Sequence, residues 1–111
     1  MPYTIDYIEF PSREIAATRR FFNEAFGWTY TEYGPDYLAI DAAGIEAGID
    51  GSPGRVPTTM AIVRTDDLDA AFLAVTAAGG EILRNPYDFP GGRRFHFREP
   101  GGNELAVWVA V

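Results

Sequence analysis

Two stretches of helical periodicity in this chain repeat at a constant offset of 53 residues, counted from Ile15 to Leu68. Ile15, Phe22, Ala25 and Gly27 match Leu68, Val75, Ala78 and Gly80 in turn. Helix start, apolar face and glycine stop coincide in both copies, so the repeat is one of pattern more than of letters. Each helix is preceded by one strand-like stretch and followed by three. Neither half alone can cover both a helix and a sheet. The expected fold is therefore α+β, with two tandem βαβββ modules packed as a single domain over residues 1–111.

The boundaries follow from breakers and caps. Tyr3 to Phe10 reads as a strand stopped at Pro11, and Ser12 is the expected N-cap of the first helix. Strands are expected at Trp28 to Tyr33, Tyr37 to Asp41 and Ile45 to Ile49, with Gly34-Pro35-Asp36 and Ala42-Ala43-Gly44 as turns. Residues 50–57, rich in Gly, Pro and Ser, form the expected linker between module one (1–52) and module two (57–111). Module two begins with a strand over Thr58 to Thr65. Thr65, Asp66 and Asp67 offer caps for the second helix. Glu81 to Leu83 begins a strand that Pro86 confines to a sheet edge or an irregular segment. Arg93 to Arg98 and Glu104 to Val109 complete the set.

Composition narrows the partners. At 47% hydrophobic residues the chain can bury a core without staples. It has no cysteine, which excludes disulfides and thiolate metal sites and fits a cytoplasmic location. No apolar run approaches the roughly 18 residues of a membrane span, and the start lacks the pattern of a signal peptide. A net charge of −7 repels phosphate backbones, so nucleic acid is not an expected partner; the charge reads first as serving solubility and second as the sign of a pocket for a cationic ligand. Ser12 and Ser52 lie in no G-x-S-x-G frame, and no phosphate-binding glycine loop is present.

Three motifs together resemble the glyoxalase, bleomycin-resistance and extradiol dioxygenase proteins, the vicinal oxygen chelate superfamily. They are Glu9-Phe10-Pro11 followed by Arg20-Phe21-Phe22-Asn23-Glu24-Ala25-Phe26-Gly27-Trp28; Thr65-Asp66-Asp67-Leu68-Asp69-Ala70-Ala71 with Ala78-Gly79-Gly80; and Arg98-Glu99-Pro100-Gly101-Gly102-Asn103-Glu104-Leu105. The resemblance spans nearly the whole chain. It implies strands curved into a cup with helices on the outer face, a ligand or metal inside, and a homodimer.

The resemblance also implies four metal ligands of His, Glu or Gln type on the first and last strands of each module. Carried over motif by motif, these positions fall on Tyr7, Gly48, Met60 and Ala106, and the 53-residue offset independently pairs Tyr7 with Met60. Such a set cannot supply the converging N and O donors of a divalent site. The expectation is a protein without metal or cofactor.

Strand alternation names the inner faces. With position 7 inward, Ile5 and Glu9 follow; with 60, Ile62 and Arg64; with 48, Glu46 and Asp50; with 106, Glu104 and Trp108. The opposite faces, led by Ile8, Phe10, Ala61, Val63, Ile45, Ala47, Ile49, Leu105, Val107 and Val109, suit a helix. The expected ligand-binding residues are Tyr7, Glu9, Glu46, Met60, Arg64, Glu104 and Trp108. Aromatic walls with a few placed charges suit a small molecule, and acids beside Trp and Tyr suit a cationic one. Glu9 and Tyr7 are the candidates for acid–base catalysis. His96, the only histidine, alternates with Phe95 and Phe97 on a solvent or pocket face and has no assigned role. Three functions fit: a metal-free binding protein of the bleomycin-resistance kind, a lyase or isomerase working through cup side chains, or a dimeric structural or regulatory module. Trp28, Tyr30 and Tyr37 fit either a pocket or a dimer contact.

Overall fold

The computed structural model describes residues 3–111 and divides into two compact units. One comprises Tyr7–Met60; the other comprises residues 61–111 together with residues 3–6. The elements run β1 (Thr4–Pro11), α1 (Ile15–Phe26), β2 (Thr29–Glu32), β3 (Tyr37–Asp41), β4 (Glu46–Asp50), β5 (Met60–Arg64), α2 (Leu68–Ala77), β6 (Glu81–Phe89), β7 (Gly92–Arg98) and β8 (Glu104–Ala110).

The expected βαβββ order is present twice, with the same pairing each time. In the first module β1 lies parallel to β4, which pairs antiparallel with β3, and β3 with β2. In the second, β5 lies parallel to β8, which pairs antiparallel with β7, and β7 with β6. The registers agree as well. Glu9 stands opposite Gly48, and Ile62, which is 53 residues after Glu9, stands opposite Ala106. Gly48 and Ala106 are thus equivalent positions, as the motif comparison requires.

The helices differ in how they begin. Asp67 caps α2 by accepting the Ala70 N–H at 3.0 Å. The corresponding expectation for Ser12 is corrected: α1 starts after Glu14 with no side-chain cap. Ser12 instead accepts the Glu14 N–H at 3.1 Å and bonds the Thr18 hydroxyl at 2.7 Å, because the chain makes one further turn before it coils. α1 stops at Gly27, where φ is +75° and the N–H closes on the Asn23 carbonyl at 2.8 Å; α2 ends earlier than the offset implies, with Ala78 as its cap and Gly79 beyond it at φ +99°.

Each module packs its helix on one sheet face. Ile15 and Phe22 of α1 meet Leu38, Ile40, Ala47 and Ile49, with Ile8, Phe10 and Trp28 alongside. Leu68 and Ala71 of α2 meet Phe95 and Val107, with Val63, Phe72 and Val109 alongside. Trp28 is partly buried, its ring tilted against those of Phe22 and Phe26 at 5.1 and 5.2 Å. Ile45, expected under the helix, is 43% exposed because β4 begins one residue later.

β6 lies at the edge of its sheet, the place to which Pro86 was expected to confine it, and runs nine residues, past Pro86 to Phe89. Register shifts between Ile82 and Arg84 and between Arg84 and Tyr87 absorb the proline.

Candidate functional site

On the sheet face of module one opposite α1, alternation brings Tyr7 and Glu9 together, and the register sets Gly48 beside Glu9. Tyr37, the first residue of β3, joins them. Its hydroxyl lies 2.7 Å from that of Tyr7 and 3.0 Å from Glu9 Oε2. Each hydroxyl has one proton, and a carboxylate only accepts. Tyr37 therefore donates to Glu9, and Tyr7 donates to Tyr37. Glu9 is buried at 6% exposure, a setting that a charge tolerates only when hydrogen-bonded. Burial, with Glu9 and then Tyr7 adding to it, pushes the Tyr37 phenol far above the ordinary tyrosine range, so it stays a neutral donor. Gly48 makes room for this. A Cβ there would collide with the Tyr37 hydroxyl and come within 2.5 Å of the Tyr7 oxygen. Glu46, opposite Tyr7, is exposed and stands outside the network, while Met60 is fully buried.

Module two carries a second polar row. Glu104 Oε2 is 3.0 Å from His96 Nδ1, and His96 Nε2 is 2.8 Å from the Tyr87 hydroxyl. Arg94 Nε in turn donates to the Tyr87 oxygen. The Arg84 guanidinium lies 3.7 Å over the Tyr87 ring. With a neutral imidazole, Arg94 donates to Tyr87, Tyr87 donates to His96 Nε2, and His96 Nδ1–H donates to the Glu104 carboxylate. Burial pushes the His96 pKa below its usual value; the Glu104 hydrogen bond opposes this, and the Arg94 and Arg84 charges add to it. At 2% exposure His96 is not on a solvent face, which corrects that part of the sequence reading.

The remaining expected residues, Arg64 and Trp108, form a third group around a residue the alternation passed over. Asp6 accepts the Trp108 indole N–H at 2.9 Å and lies 4.0 Å from Arg64, whose guanidinium sits 4.8 Å over the Trp108 ring. Tyr87, Arg84 and Arg94 were likewise absent from the expected set, and Tyr37 was named only as a residue of a pocket or a dimer contact. Tyr37 had one available signal, its place on the strand that the Ala42-Ala43-Gly44 turn joins to Gly48's strand.

The four positions that the resemblance assigns to metal ligands hold a phenol, no side chain, a thioether and a methyl. Gly48 and Ala106 have no donor at all, so these residues do not fit a divalent ion. Among the described residues, no three His, Cys, Asp or Glu side chains group to hold one elsewhere. No helix among them is long and apolar enough to cross a membrane.

A βαβββ unit used twice, each with polar residues on the sheet face away from its helix, defines a class of proteins. The sequence profile of the Glyoxalase/Bleomycin resistance protein/Dioxygenase superfamily matches residues 4–107, and the chain belongs to that superfamily. It is 31% identical over 125 residues to the anthracycline biosynthesis protein DnrV of Streptomyces peucetius, covering 92% of this chain and 45% of that protein. DauV of Streptomyces sp. (strain C5), also named for anthracycline biosynthesis, is 30% identical with the same coverage. The chain thus spans less than half the length of these relatives. In three dimensions it resembles a superfamily member from Vibrio splendidus 12B01 (TM-score 0.74, 12% identity, 97% of this chain and 99% of that one). It also resembles the Mn(II)-bound glyoxalase of Novosphingobium aromaticivorans (TM-score 0.70, 20% identity, 95% of this chain and 38% of that one). At such identities the likeness establishes the fold alone.

Proposed function

We propose that this chain is a metal-free, small-molecule-binding member of its superfamily, with an aromatic cation as the ligand class and module one as its seat. The observation that carries this reading is the Glu9–Tyr37–Tyr7 network over Gly48. It replaces a metal-ligand position with two phenols and a carboxylate, groups that recognise a cation by charge and ring face. In module two the rings of Trp108 and Tyr87 already carry the chain's own arginines, which directs an incoming cation to module one. A net charge of −7 favours its approach. The naming of two relatives for anthracycline biosynthesis fits a small-molecule role.

The test is calorimetric and thermal-shift titration with benzyltrimethylammonium. Binding to the folded state raises Tm, and Glu9→Gln weakens the affinity tenfold or more. Absence of binding, or equal binding by the variant, overturns the reading. A second reading, a metal-independent lyase or isomerase, is favoured by one observation: a buried imidazole tied at both nitrogens to a carboxylate and a phenol.

A further inference from the structure

We propose that a cleft within the unit Tyr7–Met60, beside the start of α1, binds the dianionic head of a small phosphate monoester between Arg13 and Arg55. The cleft shares no residue with the Glu9–Tyr37–Tyr7 network, so the inference stands apart from the cation reading above.

The cleft follows from how two strands end. β1 and β4 run parallel with Pro11 opposite Asp50, so they leave the sheet side by side. The Ser12 N–H donates to the Asp50 carbonyl at 2.9 Å and holds the two exits together. One exit then turns into α1, and the other enters the linker. Between them lies a cleft of about 350 Å³ lined by Pro11, Ser12, Arg13, Pro53, Arg55 and Pro57. That volume suits a small molecule. The three prolines have fixed φ and no N–H, so they make stiff, apolar walls. The Ser12 hydroxyl is already engaged by Thr18 and the Glu14 N–H. The two guanidiniums are therefore the groups left to recognise a ligand.

Their charge sets its class. The chain has sixteen acidic residues against nine basic ones. Arg19, Arg64, Arg93 and Arg98 each pair with a carboxylate at 4.0 Å or less. Among the described residues Arg13 and Arg55 have no such partner, and no Asp or Glu lines the cleft. The nearby Asp50 carboxylate is turned to the Ser52 N–H at 2.9 Å. Arg55 is held in place, since its backbone N–H and its Nη1 both donate to the Ser52 carbonyl, at 3.3 and 2.9 Å. Arg13 is exposed, on a backbone fixed by buried Ser12. α1 adds the same sign, because it begins with no side-chain cap and no acid in its first turn. Two like charges in one cleft repel, and a dianion replaces that repulsion with charge-assisted bonds to two planar forks. A phosphate monoester is such a dianion above its second pKa of about 6. Salt screens charges beyond about 8 Å, so the local guanidiniums outweigh distant acids.

The probe is phenyl phosphate, titrated by calorimetry above that pKa. It should bind, and more weakly as NaCl is raised. Benzoate, a monoanion with the same ring, should bind about tenfold more weakly or worse. Arg13→Gln loses no internal partner, so it should keep the wild-type Tm while weakening phenyl phosphate about tenfold or more. Arg13→Lys, which keeps the charge without the fork, should fall between the two. Benzyltrimethylammonium binding should be the same in Arg13→Gln as in the wild type. No binding of phenyl phosphate, wild-type affinity in Arg13→Gln, or benzoate held as tightly as phenyl phosphate overturns the proposal.

Discussion

Module one and module two share strand order, pairing directions and the register that equates Gly48 with Ala106, yet their polar faces are organised differently. In module one a glycine leaves a hollow, and phenols from β1 and β3 fill it over a buried acid. In module two the equivalent alanine is buried, and the polar row is assembled beside it from β6, β7 and β8. A repeated fold thus preserves backbone positions while different strands supply the working groups. The first network holds a carboxylate with phenol donors; the second holds a buried imidazole, its pKa lowered by burial, among a carboxylate, a phenol and two guanidiniums.

Substitutions can break this contrast, and the largest effect belongs to the cores beneath it. Phe95 is fully buried against α2. Phe95→Ala should cost about 3–5 kcal/mol in denaturant unfolding and remove the support of His96, its neighbour on β7. Gly48→Ala comes next. Its methyl would enter the space of two hydroxyls, so overpacking of about 1–3 kcal/mol and loss of cation binding are expected, while Ala106→Gly should leave cation binding unchanged.

A pH series sharpens the contrast. The folded-state pKa of His96 is lowered, so the unfolded chain binds more protons near the ordinary histidine value of about 6.5. The contribution of His96 to stability is present above that value and is lost as pH falls through it toward the folded pKa. Thermal unfolding from pH 7.5 to 5 should show this loss, and His96→Gln should flatten it. The smallest effect separates the helices: Asp67→Ala should cost about 1 kcal/mol, whereas Glu14→Ala should cost a few tenths at most, because α1 has no side-chain cap to lose.

The same contrast explains what could be read in the letters. Helix faces and glycine stops repeat at short range, so Ile15 with Leu68 and Gly27 with Gly80 announced the double βαβββ fold. Alternation along unbroken strands placed Tyr7 with Glu9 and Ile8 with Phe10 on opposite faces. It failed where the backbone departs from period two. Two bulges in β6 turned Arg84 and Tyr87 to one side, and a proline at 86 disguised the strand that carries them. Tyr37 reaches Glu9 only because β4 intervenes between β1 and β3, a long-range fact that no local pattern states. Asp6 was passed over because alternation set it on the face away from Tyr7.

The proposed absence of a metal rests on Tyr7, Gly48, Met60 and Ala106, which hold the positions of the superfamily's ligands without a His, Glu or Gln among them. Elemental analysis of protein purified without chelator tests this most directly. The account predicts no stoichiometric Ni, Zn, Fe or Mn; about one such ion per chain would contradict it.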